Sequence, residues 1–234
     1  MEPIIIAKNI SKNFEVGETL IPALKDISFS IKQGELVVIL GPSGAGKTTL
    51  LNILGGMDQS TSGTLCVDGS TITDFDKKKL TEYRRNKIGF VFQFYNLMPN
   101  LTALENLELA TELKSDAFNP ETILEQVGLK ERANNFPSQL SGGEQQRVSI
   151  ARAIAKNPSF ILCDEPTGAL DYETGKDILK LLQNLAKNQG KTIIIVTHNS
   201  ALKDMADHLL VIKNGFIIKD EYNEKPKDIK DIEW

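Results

Sequence analysis

The pattern of hydrophobic and polar positions predicts strands in the first third of the chain. Short apolar runs at residues 4–6 and 36–40 are separated by an alternating apolar and polar segment at 27–31. Alternation is typical of a half-buried strand, and an unbroken run of five apolar residues is typical of a strand covered on both faces. The run at 36–40 ends in a glycine-rich loop, after which residues 48–54 predict a helix.

The middle of the chain predicts helices, and the last third returns to strands. From about residue 101 to 157 apolar residues recur at helical spacing, interrupted by Pro120 and Pro137 and flanked by Pro99 and Pro158. Residues 160–163 then predict a strand, 175–188 an amphipathic helix and 192–197 another strand. This succession favours a parallel sheet. We therefore predict an α/β core at 1–94 and 158–234 that carries a helical insertion at 95–157. The tail after Gly215 is short and mixed in charge, and its pattern gives no prediction.

Composition and charge exclude several classes of protein. The 234 residues are 41% hydrophobic and 25% charged, and the net charge of −4 lacks the basic excess typical of nucleic-acid-binding proteins. We expect no nucleic-acid partner. No apolar stretch reaches the roughly 20 residues that span a bilayer, and the first three residues do not resemble a signal peptide. We therefore expect a cytoplasmic location. Cys66 and Cys163 lie in apolar segments without metal-site spacing, which predicts two small buried hydrophobic residues.

A phosphate-binding loop follows the strand at 36–40. It fits the pattern G-x-x-x-x-G-K-[ST] with the residues Gly41, Pro42, Ser43, Gly44, Ala45, Gly46, Lys47 and Thr48, followed by Thr49. Such a loop turns its backbone N–H groups toward phosphate oxygens at the start of a helix. Lys47 would reach the β- and γ-phosphates, and the Thr48 hydroxyl would bind Mg²⁺. The loop predicts ATP binding with Mg²⁺ as cofactor.

Three further residues at strand ends predict the rest of a catalytic site. Asp164 ends the strand at 160–163 and would hold Mg²⁺, and the adjacent Glu165 would act as general base toward the attacking water. His198 ends the strand at 192–197, where it could donate a hydrogen bond to the γ-phosphate. The second histidine, His208, has no such neighbours, and we interpret it as structural.

Residues 140–147, Leu-Ser-Gly-Gly-Glu-Gln-Gln-Arg, resemble the signature motif of ABC ATPases. Two glycines after a serine at a helix start also form an anion cradle. In that family the cradle closes over ATP held by the phosphate loop of a partner subunit. The resemblance thus implies a head-to-tail homodimer enclosing two ATP molecules, with Ser141, Gly142, Gly143 and Glu144 contacting nucleotide and with Ser141 and Gly143 at the dimer interface.

The resemblance extends to most of the chain and implies further roles. Phe14 stands where the family has an aromatic residue that stacks on adenine, and Gln93 resembles the glutamine that senses magnesium and hinges the insertion. Residues 168–171 resemble a loop that crosses the dimer interface, which places Asp171 there, although its first residue is more often serine. His198 resembles the switch histidine. The implied fold is the ABC ATPase fold: an α/β P-loop NTPase core with a parallel sheet, an N-terminal antiparallel β part and a helical insertion.

Several strings narrow the resemblance to the macrolide-exporter and lipoprotein-release group; they lie at residues 54–58, 92–99, 102–106 and 164–171. This implies an integral membrane permease as partner, a peripheral position on the cytoplasmic face of the membrane, and export or extracytoplasmic work on a lipoprotein, peptide or drug. One alternative stays open, a cell-division ATPase that regulates cell-wall enzymes through a permease-like partner. Phe94, Tyr95, Leu97 and Met98 form an apolar cluster that is either a permease contact or subdomain core.

Overall fold

The structure, a computed structural model, describes residues 3–112 and 114–233, so the outermost residues of the predicted core lie outside the described part. Within it the chain forms these strands: β1 (Pro3–Val16), β2 (Thr19–Lys32), β3 (Leu36–Leu40), β4 (Ser62–Val67), β5 (Ser70–Thr71), β6 (Ile88–Val91), β7 (Phe160–Asp164), β8 (Thr192–Thr197), β9 (His208–Lys213) and β10 (Phe216–Tyr222). The helices are α1 (Lys47–Leu54), α2 (Lys77–Lys87), α3 (Ala103–Thr111), α4 (Pro120–Gln126), α5 (Gly142–Ala155) and α6 (Tyr172–Gln189).

A central sheet has the strand order β10-β9-β3-β8-β7-β6. The strands from β9 to β6 are parallel, and β10 is an antiparallel edge strand. Since the carboxyl ends of parallel strands share one edge, the loops after β3, β7 and β8 meet there. The predicted parallel sheet is confirmed.

β3 is buried on both faces, as its unbroken apolar run predicts. Leu36, Val38 and Leu40 pack into the cluster formed by α3 to α6, because alternate residues of a strand point to opposite faces. Val37 and Ile39 pack on the other face with β1, β2 and α1. The sheet is thus the middle of three layers.

An antiparallel sheet with the order β2-β1-β4-β5 covers the second face. β1 and β2 pair along nearly their whole length with several irregularities, and Asn9 and Asp26 adopt positive φ angles of 52° each. The inward side chains of β2 are Leu24, Ile27, Phe29 and Ile31, all of them buried. This sheet confirms the antiparallel N-terminal part of the implied fold.

The helices begin where capping residues occur. Thr102 and Ser141 each form a capping box at the start of α3 and α5, and Pro120 is the first residue of α4. These three helices all lie within residues 95–157. The limits of the insertion remain a prediction, because α5 also packs against β6: the Lys156 ammonium, just past its end, donates to the Ile88 carbonyl at 2.9 Å.

Two helices differ from the pattern-based expectation. α2 was not predicted, because Leu80 and Tyr83 are its only buried residues and its other positions are polar or charged. α6 begins before the expected residue 175, because the Asp171 side chain accepts a hydrogen bond from the Thr174 N–H and caps the helix.

The segment after Gly215, for which the sequence pattern gives no prediction, contains a strand and a short 3-10 turn. β10 pairs with β9, and a 3-10 turn at Ile229–Asp231 packs against α6. Gln183 of α6 donates to the Lys227 carbonyl at 2.8 Å and accepts from the Ile229 N–H at 3.1 Å. Ile229 and Ile232 are buried. Two isolated isoleucines among charged residues give too weak a pattern to predict this docking.

Both cysteines are free, but only Cys163 is buried. Burial raises the pKa of its thiol. Cys66 is half-buried, so its predicted burial is wrong. The reason is register: Leu65 and Val67, its neighbours in β4, point into the core, and Cys66 points to the other face.

His208 is fully buried, which confirms its structural interpretation. Its ring stacks on Tyr222 with centroids 4.2 Å apart, and its Nε2 lies 2.7 Å from an Asp220 carboxylate oxygen. In the parts of the chain described here, no helix has the length and hydrophobicity that crossing a membrane requires.

Candidate active site

The phosphate loop connects β3 to α1 and lies against β2. Gly46 has a φ of 104°, a conformation that favours glycine, and a Cβ atom there would lie 2.5 Å from the Ala23 carbonyl oxygen. A Cβ atom on Gly41 would collide with the Ile212 carbonyl oxygen. The loop can therefore lie this close to β2 and β9 only with glycine at both positions.

Lys47 projects across this loop. Its ammonium donates to the carbonyl oxygens of Gly41 at 2.8 Å and Pro42 at 3.1 Å, and the residue is only 8% exposed. A positive charge is thereby fixed where the loop and the first turn of α1 converge. This is the position from which a lysine can offset phosphate charge.

Thr48 and Asp164 meet at the end of the parallel strands. The Thr48 hydroxyl donates to an Asp164 carboxylate oxygen at 3.3 Å. Burial raises the pKa of the Asp164 carboxyl, and the neighbouring charge of Glu165 adds to this, whereas the hydrogen bond from Thr48 lowers it. Both side chains present oxygen atoms, the ligand type that Mg²⁺ prefers.

Glu165 occupies a strained turn directly after β7. Its φ is 47°, and its N–H donates to the Val196 carbonyl of β8 at 2.9 Å. One carboxylate oxygen accepts from the Thr197 hydroxyl at 2.9 Å, and the other lies 2.9 Å from Nδ1 of His198. The Glu165 side chain is 14% exposed and that of His198 is 67% exposed. The carboxylate is thus oriented from two sides, with the histidine facing solvent.

Gln93 lies beside the same turn. A Cβ atom on Gly168 would be 3.6 Å from the Gln93 amide nitrogen and 3.5 Å from Cβ of Glu165. The structure therefore brings the predicted residues Lys47, Thr48, Gln93, Asp164, Glu165 and His198 to one edge of the sheet.

Phe14 lies on the strand pair that adjoins the phosphate loop. Its neighbour Lys12 pairs with Leu24, whose side chain contacts Gly46. The Phe14 ring is 40% exposed and lies 5.0 Å from the Lys12 ammonium. An exposed aromatic face near the loop is compatible with adenine stacking, which stays a prediction.

The signature residues surround a different place. The Ser141 hydroxyl accepts from the Glu144 N–H at 3.3 Å, and the Glu144 carboxylate accepts from the Ser141 N–H at 2.8 Å. This hydrogen bond holds the pKa of Glu144 below its usual value. A Cβ atom on Gly142 would meet the Tyr95 hydroxyl, and one on Gly143 would collide with Thr174. The cradle thus packs against Tyr95 and Thr174 and not against the phosphate loop of the same chain.

Asp171 is exposed at the start of α6. Hydrogen bonds from the hydroxyl and then the N–H of Thr174 lower the pKa of its carboxyl. Its predicted position at a dimer interface remains a prediction.

Three residues that bind the site or the segment following Gln93 were missed by sequence reasoning. Thr197 holds the Glu165 carboxylate, Gln146 binds the Pro166 carbonyl at 2.9 Å, and Arg152 binds the carbonyls of Tyr95 and Asn96 at 3.0 and 2.6 Å. Thr197 had one available signal, a hydroxyl residue beside a strand-end histidine. The other two contact backbone carbonyls, for which the sequence carries no signal.

The chain is similar to ATP-binding proteins of ABC transporters. The model of the ABC transporter family matches residues 24–168. The sequence is 47% identical over 227 residues to an uncharacterized ABC transporter ATP-binding protein of Methanocaldococcus jannaschii, MJ0796, covering 93% of this chain and 97% of that protein. It is 42% identical to the macrolide export ATP-binding/permease protein MacB of Bartonella henselae, covering 97% of this chain and 35% of that protein.

A solved structure is similar over nearly its whole length. This is the dimeric post-hydrolysis state of the ATP-binding cassette MJ0796 bound to ADP and Pi, with a TM-score of 0.86 and 44% identity over 93% of this chain and 98% of that one. The chain therefore spans almost all of some relatives and about a third of others.

Proposed function

Because this chain belongs to the ABC transporter family of ATP-binding proteins and is an ATPase, we propose that it is the motor subunit that drives a separate membrane permease. The observation that carries the proposal is the assembly of Lys47, Thr48, Asp164, Glu165 and His198 at one sheet edge. These groups supply phosphate binding, metal ligands and a base, which are the requirements of P-loop ATP hydrolysis.

We assign the magnesium ligands to Thr48, Asp164 and Gln93. The hydroxyl, carboxylate and amide oxygens are hard donors that fit Mg²⁺, which uses few protein ligands beside phosphate oxygens. Consistent with a site of few carboxylates, the described residues hold no cluster of three or more His, Cys, Asp or Glu side chains suited to a metal. When bound, the ion would offset charge on the β- and γ-phosphates.

Glu165 is the proposed base. Its carboxylate is held by Thr197 and His198 and lies next to Asp164, so a water molecule between it and the γ-phosphate could transfer its proton to Glu165. His198 is largely exposed, so it can turn toward the γ-phosphate without breaking the core. The chain's own contribution is mainly orientation, which can supply a large part of the rate enhancement.

The second copy of the chain would complete each site. Ser141 and Gly143 contact Glu144 and Thr174 in their own chain, and neither contact involves its phosphate loop. In a head-to-tail dimer the same helix terminus would point at nucleotide on the partner, where its N–H groups and positive potential favour phosphate. ATP would then act as the bridge between two subunits.

The permease would contact the apolar segment near Gln93. Phe94 is 77% exposed and Met98 47% exposed, and Tyr95 is partly exposed, whereas Leu97 packs against the core. We propose that the exposed members contact the permease and that Leu97 anchors the segment. The chain would then lie on the cytoplasmic face of the membrane, and the work would be export or extracytoplasmic movement of a lipoprotein, peptide or drug. Purification of the chain from membranes together with its bound partner would identify that partner, and we expect a permease. A partner that instead regulates cell-wall enzymes would contradict a role in transport.

The decisive test of the base is Glu165→Gln. The amide keeps the shape of the carboxylate but cannot accept a proton, so ATP hydrolysis should fall by about 10²- to 10⁴-fold while ATP binding persists. Phosphate release and equilibrium binding measure the two separately. A variant with nearly unchanged hydrolysis would remove Glu165 from this role.

A further inference from the structure

Gln146 is a buried side chain of α5 that reaches the segment carrying Glu165. It is 1% exposed, and its amide nitrogen donates to the Pro166 carbonyl at 2.9 Å. Pro166 directly follows Glu165. The hydrogen bond therefore joins the helix that Ser141 caps to the turn that carries the proposed base.

This turn depends on its surroundings for its shape. The positive φ of Glu165, 47°, is unfavourable for a side chain with a Cβ atom and persists only where neighbouring contacts hold it. The Glu165 N–H is bound by β8, and the Glu165 carbonyl accepts from the Gly168 N–H at 3.0 Å. Pro166 has no N–H, so its carbonyl is its one backbone polar group, and Gln146 binds it.

The Gln146 side chain makes its hydrogen bond through the amide N–H group and not through the amide oxygen. Within the described chain its side-chain oxygen is buried and has no hydrogen-bond partner. An unpaired buried polar atom is unfavourable, and an apolar side chain of the same length would avoid it. The bond to Pro166 is the one polar interaction that a methionine could not replace.

We propose that Gln146 is a positioning residue for ATP hydrolysis, which holds the Glu165 turn so that the carboxylate faces the γ-phosphate. The inference rests on the proposed role of Glu165. Since Ser141 caps α5, the same hydrogen bond would relay the approach of the second copy to the base.

The first test replaces Gln146 by methionine, which has similar length but no donor. Gln146→Met should lower kcat by about 10- to 100-fold, because a displacement of the order of 1 Å at the reacting groups has effects of this size. The KM for ATP should stay within about two-fold, because the phosphate loop keeps its contacts. A kcat equal to that of the unmodified protein overturns the proposal.

Gln183→Met is the matched control. Gln183 is also buried, at 3% exposure, and its amide also binds a backbone carbonyl, that of Lys227 at 2.8 Å. It lies on α6 against the C-terminal tail. The control should lose stability in urea and keep its kcat. An equal fall of kcat in both variants would mean that Gln146 acts only through stability, which contradicts the proposal.

A double-mutant cycle tests whether Gln146 acts through Glu165. In single-turnover reactions with excess protein, Gln146→Met should slow the Glu165→Gln variant no further, because the carboxylate that it positions is gone. Independent, multiplicative effects would contradict the inference. Nearly normal hydrolysis by Glu165→Gln alone would refute the base itself, whereas a slow Glu165→Gln with a normal Gln146→Met would refute only the positioning role.

Gln146→Glu keeps the test available where the methionine variant fails to fold. The neutral acid can donate to the Pro166 carbonyl, and the carboxylate anion cannot. Relative to the unmodified protein, kcat of this variant should therefore fall as the pH rises. Parallel pH profiles would overturn the proposal.

Discussion

At the scale of single residues, Asp164 lies in an environment that disfavours the ionised form of its carboxyl group. Burial raises the pKa of its carboxyl, and Glu165 adds a second negative charge beside it. Ionisation of Asp164 therefore lowers the free energy of unfolding, and the full loss is present at every pH above the folded-state pKa. A bound cation would offset this loss of stability, because it favours the ionised carboxylate.

Asp164→Asn should consequently stabilise the chain at neutral pH in the absence of nucleotide and Mg²⁺, and should nearly abolish hydrolysis. The gain should shrink as the pH falls through the folded-state pKa, because both side chains are then neutral. Urea midpoints at several pH values measure this. Asp171→Asn is the control, for which we expect the opposite sign. Hydrogen bonds from Thr174 lower the pKa of Asp171, so ionised Asp171 stabilises the fold. The Asn variant should therefore be less stable than the unmodified protein at pH 7, and the difference should be smaller at low pH. A loss of stability in Asp164→Asn at pH 7 would contradict the account.

The residues that the sequence could predict are those defined by short strings. Lys47, Thr48, Asp164 and Glu165 each follow from a motif within a few positions of a strand end. Gln146 could not be predicted, because it acts through a hydrogen bond to a residue 20 positions distant. Thr197 carries only the weak signal of a hydroxyl beside a strand-end histidine, and its hydrogen bond to Glu165 spans 32 positions. Such pairings are fixed by the sheet order and by helix packing.

At the scale of elements, the phosphate loop is positioned by its fit against β2. Gly46 combines a φ of 104° with close contact to Ala23 and Leu24. Both features exclude a side chain, and the second couples the loop to the antiparallel sheet.

Gly46→Ala should therefore destabilise the chain and weaken ATP binding. Gly17→Ala separates strain from collision, since Gly17 has a φ of 60° and open space at its Cβ. A residue in this left-handed region costs about 1–2 kcal/mol through strain alone. The Gly46 variant should lose more than this in urea unfolding, and the Gly17 variant should bind ATP normally. Equal losses would show that the contact with β2 is unimportant.

Elements were predictable where their periodicity is strong. β3, β7 and β8 are buried apolar runs and were predicted closely, and α6 shows an amphipathic stripe. α2 and the C-terminal turn were missed because each has two buried apolar residues among charged ones. Their folding depends on surfaces supplied by distant parts of the chain.

On the scale of the whole molecule, the C-terminal tail closes the helical face of the core. Ile229 and Ile232 pack into the same apolar cluster as α6 and β3. Ile229→Ala should destabilise the chain by about 2–5 kcal/mol, the usual range for truncating a buried isoleucine. Ile218→Ala, at a residue that is 59% exposed on β10, should change stability by less than about 0.5 kcal/mol. Equal effects in urea unfolding would show that the tail does not dock.

The three layers also separate the two halves of the proposed machinery within one chain. The central sheet gathers the phosphate loop, Asp164 and Glu165 at one edge, while α5 presents Ser141 elsewhere, against Tyr95 and Thr174. Both halves of the proposed machinery are thus present in each chain, but they are separated. Two chains in head-to-tail arrangement would bring them together.

Mixing two inactive variants tests whether each active site is shared between two copies of the chain. Lys47→Ala removes phosphate binding, and Ser141→Ala removes the cradle proposed to act on the partner; each alone should hydrolyse ATP very slowly. In an equal mixture about half of the dimers should contain one of each chain, with one of two sites intact, so hydrolysis should recover to about a quarter of the unmodified rate. A mixture that only averages the two separate rates would contradict a site shared between two copies.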